Sequence, residues 1–426
     1  MVDFFQDLVF NQISFIIGFI AGALGLWLIT KLRPAFPGII HSIRTKSKSG
    51  RSGLISSNAQ RLRQDMLRHV QGLHLASPLF ALDEVLVAPK MLAPPPPAEL
   101  GQEAAPGDIL NQILPYLPDW PELAARYQAK TFPLAIALGA GANLVHTGNP
   151  GSGKTTALAH LICQMVRGEP PAEGLAGYLP VYTHVADLFP GHSFEQPLVE
   201  SICESVQSYA SSLSANRLEN LLRSSFQSGK ILLLVDGLDE VNAAFHSQVI
   251  RSLANLMDEY PSTRLVVASA PENYSGLIEL GLAPIAMAAW DERQYLSFIS
   301  KWSRSWYRNI RPLMEEGTVQ IDPRLLNAWQ LAENPIISPI DATLKAWAVF
   351  SGDISGPGHL DALDSYVWRM TNHLKDARPG LEDFALQIVA AQEVAMDLKK
   401  ARGFEANLDF EAETDQEKEA VQKDIL

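Results

Sequence analysis

Several patterns that would indicate a particular chemistry are missing from this sequence. Only two of its 426 residues are cysteine, Cys163 and Cys203, which argues against a disulfide framework or a cysteine-based zinc site. Both belong to amphipathic stretches, and we predict buried thiols in a reducing compartment. The ten histidines form no HExxH pair, and no GxSxG turn occurs. The sequence therefore indicates neither a zinc protease nor a serine hydrolase.

Positive charge is also scarce. The net charge is −13, whereas a protein that binds nucleic acid through its phosphates needs a surplus of lysine and arginine on the binding face. No repeat of 20 to 50 residues is present, so no solenoid or propeller array is expected. The apolar fraction of 47% is enough for a sizeable core. We expect two or three globular units and no nucleic acid partner.

One long segment without charge lies near the N-terminus, from Ile13 to Thr30. Eighteen residues at a helical rise span roughly 27 Å, close to the hydrocarbon thickness of a bilayer. Asp3 and Asp7 precede the segment, where a cleaved signal peptide would carry basic residues. We predict a single transmembrane helix, with a signal peptide or a buried core helix as alternatives.

Basic residues follow this segment, among them Lys31, Arg33 and Arg44, and the positive-inside rule places the N-terminus outside and the remainder in the cytoplasm. Gly18 and Gly22 form a GxxxG face through which two such helices could pair.

Residues 33–107 are predicted to be a stalk. The four prolines Pro94 to Pro97 favour an extended spacer, with a ligand for a proline-binding domain as the alternative. A helical stretch over 59–73 is interpreted as a solvated helix or as a surface for anionic lipid.

The strongest motif is GNPGSGKT, a complete GxxxxGK[ST] pattern between an apolar stretch and a helical one. Glycines let backbone N–H groups surround phosphate oxygens, and the helix N-terminus adds a partial positive charge. Lys154 is predicted to bind the β and γ phosphates, and Thr155 to ligate Mg²⁺. The predicted nucleotide-binding residues are Gly148, Asn149, Pro150, Gly151, Ser152, Gly153, Lys154, Thr155 and Thr156.

A second element, Lys230 to Val241, is an apolar run that ends in acids, as expected for a buried parallel strand opening into a ligand crevice. Asp236 is predicted to hold Mg²⁺. Glu240, with Asp239 beside it, is the candidate for orienting or deprotonating an attacking water. A structural or helix-capping role for Asp239 is the alternative.

Further strands, Leu179 to Val185 and Thr263 to Ser269, alternate with helical patterns. The predicted fold is α/β: a P-loop NTPase with a doubly wound parallel sheet, followed by a small helical domain and preceded by the single transmembrane helix. The predicted boundaries are 1–32 for the anchor, 33–107 for the stalk, 108–290 for the NTPase core and 291–426 for the helical C-terminal region.

The form D-G-x-D-E at Asp236 to Glu240 resembles the NACHT group of STAND-type signalling NTPases. The resemblance covers about residues 108–400 and includes PDWPELA ahead of the P-loop and an ENP element at Glu333 to Pro335. It implies ATP and ADP with Mg²⁺, a nucleotide-driven switch, self-association through the NTPase core and an unidentified protein partner. It also places Pro335 on the adenine side, with a helix-start proline as the alternative.

Two features depart from that family. An arginine that senses the γ-phosphate often follows the fourth strand, whereas this chain has Ala270, so slow hydrolysis or a substitute basic group is expected. A complete winged-helix domain and sensor repeats are not recognisable before Leu426, so the sequence is a truncated one or sensing lies elsewhere. The predicted function is a membrane-anchored ATPase switch; the alternatives are an AAA-like motor and a scaffold that binds ATP without hydrolysing it.

Overall fold

The computed structural model describes residues 58–92, 129–190, 193–194, 196–271, 274–314, 326, 338–352, 358–371 and 385–386. The predicted membrane helix, the Pro94 to Pro97 run and the Pro335 element lie outside these ranges. No helix within them is long and apolar enough to cross a bilayer. The chain divides into two compact units, 1–60 and 61–426; the described part of the first is residues 58–60, which are helical.

Six strands form one sheet: Met91–Leu92 (β1), Leu144–Thr147 (β2), Leu179–His184 (β3), Ile231–Asp236 (β4), Arg264–Ser269 (β5) and Ala283–Met287 (β6). Their order across the sheet is β1-β6-β2-β5-β4-β3, and all neighbours are parallel except β1 and β6. The predicted parallel α/β sheet is thus confirmed, with an antiparallel edge. The strands predicted at Leu179 to Val185 and Thr263 to Ser269 agree with β3 and β5 to within one residue at each end, because each is a short apolar run that is buried on both faces. Strands β1 and β6 were not predicted.

The α-helices cover both faces of this sheet and continue beyond it. They are 58–70 (α1), Leu82–Val85 (α2), Leu134–Gly139 (α3), Lys154–Arg167 (α4), Val185–Leu188 (α5), Leu198–Tyr209 (α6), Ser212–Ala215 (α7), Leu218–Gln227 (α8), Ala243–Glu259 (α9), Ser275–Glu279 (α10), Glu292–Ser305 (α11), Pro339–Ser351 (α12) and His359–Thr371 (α13).

Adjacent residues of β3 show the two faces. Tyr182 is buried in the main core cluster, together with Leu158 and Ile162 of α4. Thr183 points the other way and donates a hydrogen bond to Ser205 of α6 at 2.9 Å. Strand side chains alternate between faces, so helices must pack on both sides to bury them.

Residues 61–92 are packed into the fold, so this part of the predicted stalk is not an extended spacer. Leu62, Met66 and Val70 of α1 are each 0% exposed, at the i, i+4 and i+8 spacing that places side chains on one helix face. Met91 of β1 is likewise 0% exposed. The segment completes the core, because it covers apolar surface on the α4 side of the sheet.

Strand β1 also forms an isolated antiparallel bridge with Phe132, a residue 41 positions later in the chain. The N–H of Met91 donates to the carbonyl of Phe132 at 2.8 Å, and the N–H of Phe132 donates back at 3.0 Å. Two residues far apart in the sequence therefore meet at this edge of the sheet.

A second cluster, rich in aromatic residues, joins the helices after the sheet to the N-terminal segment. Trp302 of α11 lies edge-on to Phe80 with ring centroids 5.1 Å apart, and Trp347 of α12 lies 6.4 Å from Trp302. The described helices after β6 thus share a core with residues that precede it.

Candidate nucleotide site

The phosphate-binding loop connects β2 to α4, in the predicted order of strand, loop and helix. Gly151 and Gly153 have φ angles of 75° and 95°, in the left-handed region that favours glycine. Gly148 is needed for a different reason, since a Cβ there would lie 2.5 Å from the Ser152 hydroxyl. All nine predicted residues from Gly148 to Thr156 fall in this loop and the first turn of α4.

Lys154 is buried, with 8% of its surface exposed, and its ammonium has three partners. It donates to the carbonyls of Gly148 at 2.9 Å and Asn149 at 3.4 Å, and it pairs with Asp239 Oδ2 at 2.9 Å. The lysine is therefore held across the loop, between the loop backbone and an acid of the turn that follows β4.

Asp236 ends β4 and is 3% exposed. Its Oδ2 accepts a hydrogen bond from the Tyr182 hydroxyl at 3.0 Å, and its Oδ1 accepts one from the Gly237 N–H at 3.0 Å. Burial and the neighbouring Asp236 charge raise the pKa of Tyr182, so the phenol stays protonated and acts as a donor. These two contacts fix the carboxylate.

Thr155 and Asp236 line the same cavity, so the structure brings the two predicted Mg²⁺ ligands together. A hydroxyl and a single carboxylate suit Mg²⁺, which usually binds through one or two carboxylates, substrate phosphates and water. In the described part of the chain no group of three or more His, Cys, Asp or Glu forms a metal cage. The donor set thus fits Mg²⁺ bound together with phosphate.

The two acids after Asp236 lie on the 3₁₀ turn Leu238–Glu240 and point to different partners. Asp239 pairs with Lys154, whereas Glu240 Oε2 lies 3.5 Å from His184 Nε2. The His184 contact and the charge of Lys154 outweigh the effect of burial and lower the pKa of Glu240. Glu240 is thus kept ionised, as a general base must be.

The cavity that contains these groups has a volume of about 600 Å³, within the range of small-molecule sites. Its polar end is formed by the loop and the acids of β4. Its other wall is mainly apolar and was not predicted: it comes from the segment after α1, from α11 and from the start of α12, with the residues Leu73, Leu75, Ala76, Val85, Phe298, Trp302, Pro339 and Ile340. No local pattern could reveal this wall, because the segment after α1 is more than 200 residues away from the parts in α11 and α12.

Ala270 directly follows β5, at the position where the resemblance leads us to expect arginine. The β5 end contacts the loop, since the Gly148 N–H donates to the Ser269 carbonyl at 3.2 Å. Among the described residues that line the cavity, His74 and Lys154 carry basic side chains. No arginine lines the described part of this cavity, and burial lowers the pKa of His74, the basic side chain there besides Lys154.

The first turn of α12 contacts the loop directly. The Ile340 N–H donates to the Gly151 carbonyl at 3.3 Å, and a Cβ on Gly151 would lie 2.3 Å from the Ile340 side chain. The phosphate-binding loop is thus in contact with the helical region that follows the sheet.

Comparison with known proteins gives a family match over part of the chain. The sequence over residues 143–305 matches the NACHT domain family. No curated protein matches the chain. A similar solved structure is that of the Aeropyrum pernix ORC1 protein in complex with DNA, with 17% identity, coverage of 72% of this chain and 84% of that chain, and a TM-score of 0.34. The resemblance drawn from the motifs is confirmed by this match: residues 143–305 match the NACHT domain, which is consistent with a NACHT-family P-loop NTPase.

Proposed function

We propose that the protein is a membrane-anchored signalling switch that binds ATP with Mg²⁺ and hydrolyses it slowly. The observation that carries the proposal is that Lys154, Thr155, Asp236, Asp239 and Glu240 line one cavity of about 600 Å³. A NACHT domain implies nucleotide binding. The same residue types in this arrangement serve phosphoryl transfer in other P-loop proteins.

Each side chain has a proposed task. Lys154 exchanges its loop carbonyls for phosphate oxygens, and Thr155 and Asp236 hold Mg²⁺, which neutralises charge developing on the phosphates when it is bound. Glu240 orients and deprotonates the attacking water, and Asp239 releases Lys154 when phosphate arrives. Slow turnover follows from Ala270, which cannot stabilise the γ-phosphate as an arginine would.

The switching role is supported by the contact between the loop and α12. A phosphate that changes the loop main chain at Gly151 also changes the hydrogen bond to Ile340, and α12 packs on α13. Nucleotide exchange would then alter the packing of the helical region. Through that change it would alter self-association of the NTPase core and the binding of a protein partner still to be identified.

Membrane anchoring rests on the sequence alone, through the apolar segment from Ile13 to Thr30. We propose a single-pass protein with the N-terminus outside and the NTPase in the cytoplasm, in which the Gly18/Gly22 face assists self-association. Alkaline extraction of membranes from cells that produce the full chain tests this, with residues 1–32 deleted in the control. Release of the full chain into the soluble fraction would refute the anchor.

The central experiment compares the full chain with Lys154→Ala and Glu240→Gln. We expect Mg·ATP binding by the wild type, none by Lys154→Ala, and binding with slower turnover by Glu240→Gln. Particle size is then measured by light scattering with ATP and with ADP. A nucleotide-independent size together with unchanged protease sensitivity would refute the switch.

A second candidate function is a scaffold that binds ATP for structural support without hydrolysis. Ala270 is the observation that favours it. Wild-type turnover that equals the Glu240→Gln background, at saturating Mg·ATP, would support this scaffold over the switch. Fast turnover stimulated by a protein or membrane substrate would instead indicate an AAA-like motor.

A further inference from the structure

His184, at the C-terminal end of β3, is held in place by three neighbours. Its Nδ1 accepts a hydrogen bond from the Ala186 N–H at 3.2 Å, which caps the short helix α5. His184 is also the register partner of Asp236 in the β3-β4 pair. Gly237, with φ of 78°, passes so close that a Cβ there would lie 2.1 Å from His184 Nε2. The ring therefore has little freedom to rotate.

The contacts of the ring also fix its proton. Because Nδ1 accepts a hydrogen bond from a backbone N–H, the neutral ring carries its proton on Nε2. That nitrogen lies 3.5 Å from Glu240 Oε2, at the long end of the hydrogen-bond range. Contacts of a catalytic base are commonly this long and shorten on substrate binding.

Glu240 needs such a partner. It ends a three-residue 3₁₀ turn, and its side chain is 52% exposed, so without a contact it would sample several rotamers. His184 is 24% exposed and fixed to the sheet, so it is the more rigid member of the pair. A base oriented by a third group is a recurrent arrangement in catalysis.

We infer that His184 is a positioning residue for Glu240: its Nε2–H donates to the Glu240 carboxylate and holds the base over the phosphate end of the cavity. The inference rests on the proposed hydrolysis of ATP. Burial by itself would lower the pKa of His184, but the Glu240 contact and the nearby acids outweigh it and raise the pKa, which agrees with a donor facing a carboxylate.

Two substitutions separate positioning from a purely structural role. His184→Asn keeps an acceptor at the δ position for the Ala186 N–H but is too short to reach Glu240. His184→Gln places an amide donor at the ε position but loses the cap. If His184 positions Glu240, Asn lowers kcat about tenfold with little change in KM for Mg·ATP, and Gln recovers most of that loss. If the cap on the Ala186 N–H is what turnover depends on, the order of the kcat values is reversed: Gln lowers kcat more than Asn does.

The series is measured on the full chain, with the thermal unfolding midpoint of each variant as a readout independent of turnover. The double variant His184→Asn/Glu240→Gln should turn over no more slowly than Glu240→Gln, and the four midpoints should be non-additive. Additive midpoints, wild-type kcat in His184→Asn, or equal loss in Asn and Gln would overturn the inference.

Lys154→Ala in the same series separates this inference from the proposed function. If Lys154→Ala abolishes turnover but His184→Asn turns over ATP like the wild type, the proposed function stands and the positioning role of His184 is refuted. Wild-type turnover equal to that of Lys154→Ala refutes the proposed hydrolysis, and the role of His184 in it is then refuted as well.

Discussion

The carboxylate of Asp239 lies 2.9 Å from the ammonium of Lys154, and both side chains are largely buried, with 12% and 9% of their surfaces exposed. Asp239 is thus ion-paired with the lysine that the motif predicts to bind phosphate. A phosphate that enters the loop must compete with Asp239 for the same charge.

Replacing Asp239 by asparagine should therefore strengthen ATP binding while it weakens the unliganded protein. The substitution removes a negative charge beside the phosphates, and we expect affinity for Mg·ATP to rise about 3- to 10-fold. It also leaves Lys154 without its counter-ion, at a cost of about 3 kcal/mol in unfolding free energy. Equilibrium binding and denaturant unfolding check the two effects, and Lys154→Ala is the control. Weaker ATP binding would mean that Asp239 assists the nucleotide directly.

Removal of all residues before 108, including the packed segment 61–92, should abolish folding. A chain that begins at residue 108, where the sequence places the start of the NTPase core, lacks α1 and β1 and exposes the residues that they cover. We expect an insoluble or expanded product without cooperative unfolding. A chain that begins at residue 57 is the matched control and should bind Mg·ATP. In the full chain, Leu62→Ala should cost about 2–5 kcal/mol of unfolding free energy. A well-folded chain from residue 108 would contradict the packing of α1.

The contact between the loop and α12 can be tested with a pair of substitutions. Gly151→Ala places a Cβ 2.3 Å from Ile340 at a φ of 75°, so the loop or α12 must shift. We expect ATP affinity to fall at least tenfold. Ile340→Ala in the same chain removes the 2.3 Å contact with Cγ2 and leaves a contact of 3.0 Å with Cβ. It should restore part of the affinity, while the backbone strain of about 1 kcal/mol remains.

Hydrogen exchange provides the second readout. The amides of α12 should exchange faster in Gly151→Ala than in the wild type and recover in the double variant. Equal exchange in all three would show that the loop and α12 are not coupled.

The pH dependence of stability should reveal His146 in β2. The ring is 0% exposed, neither nitrogen has a partner within the described residues, and burial with the charge of Lys154 lowers its pKa from 6.5 to about 3. Between these two pH values the unfolded chain binds a proton that the folded chain does not. Unfolding free energy should therefore fall as the pH is lowered through this window, by up to about 1.4 kcal/mol per pH unit.

His146→Leu should flatten this dependence. At pH 7 the variant should be as stable as the wild type or more so, because two unpartnered ring nitrogens are removed. His246→Leu, at a ring that is less buried, is the control and should change the slope less. Denaturant unfolding at several pH values measures both, and an unchanged slope in His146→Leu would refute the assignment.

The sequence was informative where function is encoded in contiguous residues. The apolar run at Ile231–Asp236 predicted a buried strand, and GNPGSGKT predicted the phosphate-binding loop between β2 and α4, because each pattern is set by local geometry. The cavity confirms that Lys154, Asp236 and Glu240 come together, which follows from the shared edge of parallel strands.

Other features depend on distant pairings and were not predictable. The spacing of Leu62, Met66 and Val70 marks an apolar helix face, but the nearby prolines and basic residues favoured a solvated stalk. What decides between the two is the sheet face that α1 covers, and most of that face belongs to β2 to β6, which begin more than 70 positions later. His184 was missed for a similar reason, since its role depends on the β3-β4 register that sets it beside Asp236.

The bridge between Met91 and Phe132 also protects an edge of the sheet. The N–H and the C=O of Met91 both bind the backbone of Phe132, and on its other side Met91 is the register partner of Met287 in β6. An unpaired edge strand is a template for pairing with a second molecule, and neither polar backbone group of Met91 is free for that role. The antiparallel edge of this sheet is thus closed at Met91 to the edge-to-edge association that leads to aggregation.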